Sequence, residues 1–249
     1  FFVKFCKPII ALWAIAWDAG FQKKGTQFWR DTLPHFVSNK RNRIFVNNGF
    51  LQKFGMLAKE KNWNFRLVPN LCLYTGHRYR TTGRDDSKKD IIVMRRPWPR
   101  VLYRVGDLNA KAEEMKLPIT FHSFATNNSF RSLAEDFTGI LFSPYATSLM
   151  VFYESYSQNV PLIVPSLALT TMNVKHYRYD ANQYWINDKQ RIHEKELLKA
   201  CDYYNGLYPH LLFFDGIAAM ISLVHQTSAT TFVDISNQMS TRTAARLQE

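Results

Sequence analysis

Glu154 is the only acidic residue between Asp136 and Asp180, and its surroundings give it a chemical context. The window from Gly139 to Ser166 reads GILFSPYATSLMVFYESYSQNVPLIVPS. Ile140–Phe142 is a short apolar run suited to a buried parallel strand. Ser143-Pro144-Tyr145 breaks it, and Thr147 or Ser148 is placed to cap a helix carrying Leu149, Met150 and Phe152. Val160–Val164 then returns as the next strand. A helix start offers uncompensated N–H groups and a partial positive charge, so a phosphate docked there gains hydrogen bonds and dipole attraction together. Ser143, Tyr145, Thr147 and Ser148 surround that start. Glu154, about two turns further in, is placed to accept hydrogen bonds from a ribose. Such a set can hold a phosphorylated, hydroxyl-bearing ligand.

Two further groups follow strand-like runs. Arg95 and Arg96 come directly after Ile91–Met94, and in open parallel sheets ligands bind beyond the carboxyl ends of the strands. Guanidinium groups there can clamp a diphosphate bidentately and offset the charge of a departing nucleotide; as a structural pair they would stack on Trp98. His122 follows another run and precedes the polar SFATNN segment, so its imidazole is a candidate base or phosphate ligand, against the plainer role of a hydrogen-bonded structural histidine. Asn47 and Asn48, with His35 upstream, are candidates for acceptor contacts.

These positions require strands alternating with helices. In the first part of the chain, Pro8–Ala16, Ile44–Val46 and Phe65–Val68 read as strands, with helices over Gln27–His35 and Phe50–Lys61. Arg78–Lys89 is polar and charged, which marks a linker. Beyond it, strands are expected at Ile91–Met94, Ile119–Phe121, Ile140–Phe142, Val160–Val164 and Leu211–Phe214. Helices are expected at Val101–Met115, Ser129–Phe137, Asp188–Tyr204, Ile217–His225 and Ile235–Leu247. This is a doubly wound α/β pattern. The expected organisation is residues 1–80 as the end of an N-terminal Rossmann-like domain, 81–90 as linker, and 91–249 as a C-terminal nucleotide-sugar-binding domain.

The order of small residue, Pro144, Tyr145, Thr147, Ser148, Met150 and Glu154, closing on Asn159-Val160-Pro161 before an apolar strand, resembles the donor-binding element of glycosyltransferases with the B-type fold. The resemblance covers Ile91–Ser166 best, is weaker over Pro209–Leu247, and is only topological before Arg80. It implies two Rossmann-like domains facing across a cleft, the first incomplete here. It also implies transfer of a sugar from a nucleotide diphosphate donor, with a basic pair such as Arg95 and Arg96 in place of a metal and no cofactor. Many retaining members carry a second glutamate eight positions after the first; here that position is Leu162. Stereochemistry is therefore left open, and a non-catalytic donor-binding module is the alternative.

Composition bounds the rest. The 249 residues are 46% hydrophobic, enough for one or two cores, and no apolar run is long enough to span a bilayer. The chain starts at Phe1, so a piece of a longer protein is expected, and localisation is open. Cys6, Cys72 and Cys201 follow no metal or disulfide spacing. The net charge of +12 is uneven: residues 1–90 hold 17 Lys and Arg against 6 Asp and Glu, while residues 91–249 hold 15 against 14. A basic first part raises the local concentration of an anionic donor or acceptor. It also opens a nucleic-acid-binding alternative, but no recognition motif accompanies it and its aromatics read as core. Neither D-x-D, H-E-x-x-H, a P-loop, G-x-G-x-x-G nor G-x-S-x-G occurs, which argues against the enzyme classes built on them.

Overall fold

In the computed structural model, residues 10–13, 42–46, 66–83, 87–94, 104–124, 129–142, 150–174, 198–199 and 201–248 are described. The chain divides into two compact units, one of residues 1–70 with 178–207 and one of residues 71–177 with 208–249.

In the first unit, β1 (Ile10–Trp13), β2 (Arg43–Val46) and β3 (Arg66–Leu67) form a parallel sheet in that order. The expected helices Gln27–His35 and Phe50–Lys61 lie outside the described residues. The expected helix Asp188–Tyr204 is described only at its end. There residues 198–199 are helical, and the chain turns at Cys201–Asn205, where the Tyr204 and Asn205 N–H groups both donate to the Cys201 carbonyl. Asn205 also bonds Asp202 and the Leu207 N–H, side-chain competition of the kind that favours turns over helix.

The second unit is α/β. Its strands β4 (Lys89–Met94), β5 (Ile119–Ser123), β6 (Gly139–Phe142), β7 (Leu162–Pro165) and β8 (Leu212–Phe214) form a parallel sheet in the order β5-β4-β6-β7-β8. The run Ile91–Met94 is buried throughout, as are β6 and β7, which explains why these strands read as continuous apolar stretches rather than alternating ones. On one face Ile91, Val93, Phe121, Leu141, Ile163 and Phe214 pack with Leu108 and Ala112 of α1 (Val105–Glu114) and Met220, Ile221 and Val224 of α5 (Ile217–Gln226). On the other, Phe142 meets Phe152 of α3 (Met150–Ser157), ring edge to ring face at 5.5 Å. Helices therefore cover both faces, as a doubly wound sheet requires.

β5 is an edge strand. Its outer backbone is met by Asn109 of α1, whose amide accepts from Phe121 N at 2.7 Å and donates to Phe121 O at 3.0 Å. α2 (Phe130–Glu135) is capped by Ser129 and connects β5 to β6.

Three stretches differ from the sequence expectation. Lys89 and Asp90 belong to β4, and Tyr79 and Arg80 are bonded into the second unit: their N–H groups donate to Gln158 O and Ala134 O. The charge of this stretch reads as linker, but its hydrogen bonds tie it down. Leu167–Val174 forms a helix, α4, that apolar character without a polar face conceals. α6 (Ala229–Arg246) starts six residues before the expected position, because Ser228 accepts from Thr231 N and starts the helix despite its β-branched first turn.

Candidate functional site

A parallel sheet offers a ligand crevice where the strand order reverses. Here that is between β4 and β6: β4 leads into α1 on one face of the sheet, while β6 leads into α3 on the other. The residues that follow these strands in the chain are Arg95 and Arg96 after β4, and Ser143, Tyr145, Thr147 and Ser148 after β6. All six lie outside the described residues, as do Asn47, Asn48 and His35. The structure thus places the chain exits at the reversal and describes two of the eight candidate donor-site side chains, Glu154 and His122.

Glu154 sits in the middle of α3, whose two faces are unlike. Phe152, Tyr153 and Tyr156 turn inward and gather with Tyr208 at ring-centroid distances of 5.0–6.4 Å. Glu154 and Ser157 face the chain segment Leu71–Arg80 instead. The Tyr74 hydroxyl donates to Glu154 Oε1, and Ser157 Oγ donates to Cys72 O at 3.1 Å. Arg78 Nη1 donates to Ser157 O at 2.7 Å, placing a cation at the carbonyl end of the helix where the dipole favours it. The helix ends in a Schellman turn: Asn159 N donates to Tyr156 O and Val160 N to Ser155 O, with Asn159 at φ 62°. Asparagine is among the side chains that tolerate this left-handed position.

Neighbouring groups register the Glu154 charge. Burial pushes the Cys72 thiol up to about 11, with the Glu154 charge adding to the rise and a hydrogen bond from Tyr74 opposing it. The Tyr74 phenol is pushed well above its ordinary value, by loss of solvation first and by its bond to Glu154 next, although the residue as a whole is two-thirds exposed. We attribute this to the hydroxyl end being turned onto Glu154 while the ring stays in solvent.

Comparison of the chain with protein-family models, with curated proteins and with solved structures finds no match.

His122 lies within β5, opposite Ile92 of β4, and its Nε2 is 2.7 Å from Asp90 Oδ1. Lys88 Nζ reaches the same oxygen at 3.2 Å, and the ring meets Phe137 edge-on at 5.5 Å. The imidazole therefore leans back along the sheet toward the start of β4. Glu154 and His122 hold different partners, and among the described residues no hydrogen bond or ion pair joins them.

At the carboxyl ends of β7 and β8 the structure adds a pair that the sequence did not suggest. Ser166 Oγ donates to Asp215 and accepts from Leu169 N at 3.1 Å, capping α4, while Ser166 N donates to Phe214 O at 2.8 Å. Asp215-Gly216 reads locally as a turn, and the distance of 49 positions to Ser166 hides the pairing. Among the described residues no group of three or more His, Cys, Asp and Glu could hold a metal ion, and no helix is long and apolar enough to cross a membrane.

Proposed function

We propose that the chain is a glycosyltransferase-like protein of the B-type class that transfers a sugar from a nucleotide diphosphate donor to an unassigned acceptor. The observation that carries this reading is the reversal of strand order between β4 and β6, because the chain leaves those two strands directly into Arg95-Arg96 and into the Ser143–Ser148 loop. In this reading the two guanidinium groups bind the diphosphate and stabilise it as it departs, so no metal is called for. The amides at the start of α3 share the phosphate load, and Glu154 accepts from a hydroxylated ring.

A thermal-shift screen of nucleoside diphosphates and their sugar conjugates tests the reading, because a ligand of the native state raises apparent stability. Binding of at least one nucleoside diphosphate is expected. Replacing Arg95 and Arg96 together by alanine should weaken it by about 2–4 kcal/mol with little change in the melting temperature of the free protein. Equal affinity in the double variant removes the pair from the site.

One observation favours a second reading, donor binding without transfer. Leu162, at the position of the second glutamate, is fully buried in β7 and paired with Ile140, so that position belongs to the core. A bound donor that is neither transferred nor hydrolysed identifies this case.

A further inference from the structure

Tyr74 has no role in any local sequence pattern, yet it is the side chain that reaches Glu154 from 80 positions away. The residue remains 65% exposed; Leu73, next to it in the chain, is exposed at 43%, and on α3 Met150, one helical turn before Glu154, is exposed at 46%. The bond to Oε1 restricts the carboxylate rotamer and leaves Oε2, which takes no hydrogen bond among the described residues. An exposed aromatic face beside a fixed acceptor suits a particular ligand. The ring offers a flat apolar surface to the C–H face of a pyranose or furanose, and the carboxylate oxygen accepts from its hydroxyls. An anion would be repelled by the same carboxylate, which separates this place from any phosphate site.

We infer that Tyr74 and Glu154 form a subsite for a sugar ring, in which Tyr74 fixes the carboxylate through Oε1 and presents its ring face while Oε2 accepts a ligand hydroxyl. The inference rests on the glycosyl-transfer reading for the nucleotide that delivers the ring. The recognition chemistry is the same for a ribose and for a transferred hexose. Tyr74 is a positioning residue toward Glu154 and a contact residue toward the ring.

The test uses the full chain as wild type, Tyr74→Phe, Tyr74→Leu, Glu154→Gln and the Tyr74→Phe/Glu154→Gln pair, each first checked for an unchanged melting profile. UDP, GDP, ADP, their glucose conjugates and methyl glucoside are titrated by calorimetry, with saturation-transfer NMR for the weak glucoside. Tyr74→Phe keeps the ring and releases the carboxylate, so binding should weaken about three- to tenfold; Tyr74→Leu removes the ring face as well and should cost more than about tenfold. Tyr74→Phe should add little in the Glu154→Gln background, since both changes remove one coupled unit. A 2′,3′-dideoxy sugar nucleotide that no longer distinguishes wild type from variants assigns the ring to the ribose, and one that still does assigns it to the transferred sugar. Equal affinity in all Tyr74 variants for a sugar nucleotide that binds wild type overturns the subsite and leaves donor binding standing. Glucoside binding that depends on Tyr74, with no nucleotide bound, keeps the subsite and ends the nucleotide reading. Binding of neither probe overturns both.

Discussion

The two faces of α3 are built on opposite principles. Inward, Phe152, Tyr153 and Tyr156 meet Tyr208 in an aromatic cluster with almost no solvent contact. On the other side, the same eight residues turn Glu154 and the buried Ser157 to a chain segment that meets them through directional bonds. A helix with one apolar face and one hydrogen-bonded face is firmly placed from both sides. The difference separates stability from recognition along a single element, and it can be broken by experiment.

The inward face should show the largest effect. Phe152→Ala removes the ring that touches Phe142, Tyr153, Tyr156 and Tyr208, and should cost about 3–5 kcal/mol in chemical denaturation. A loss below about 1 kcal/mol would show that the cluster is not what seats the helix.

The outward face should respond less. Ser157→Ala deletes the hydroxyl that donates to Cys72 O and to its own turn, and should cost about 1 kcal/mol in the same measurement. A loss as large as that of Phe152→Ala would erase the distinction between the faces.

The smallest effect is a titration. The Cys72 thiol binds its proton more tightly in the folded state than in the unfolded one, so the stability linked to it is present below about pH 9 and is lost as pH rises through about 11. Tyr156, raised to about 12 by burial against the opposing influence of Arg246 and Arg242, extends the decline from about pH 10 upward. Glu154→Gln removes a negative charge beside Cys72 and should move the pH profile of Cys72 alkylation downward without moving the titration of Tyr156. An unmoved Cys72 profile would separate the thiol from the outward face.

What the sequence discloses here follows the range of the forces that show in it. Ile91–Met94, Ile119–Phe121, Ile140–Phe142 and Leu211–Phe214 all fall within or beside observed strands, because burial on both faces leaves an apolar run that local reading detects. Helix α4 escapes such a reading, since LALTTMNV offers no polar stripe to set its period. The chemistry is less legible. Glu154 and His122 could be singled out by type and position, but their partners Tyr74 and Asp90 stand 80 and 32 positions away. Asp90 reads as linker and Tyr74 belongs to no local pattern, because only the folded chain brings the groups together.

Lys89 carries one more consequence. It is almost fully buried at the start of β4, the first strand of its sheet, and its Nζ donates at 2.6 Å to the carbonyl of His225 in the last turn of α5. The partners are 136 positions apart, so their meeting closes a long loop whose entropy the intervening contacts of the second unit must offset. In kinetic terms a contact of such long range is expected to form late, so that Lys89→Met should speed unfolding more than it slows refolding in stopped-flow measurement.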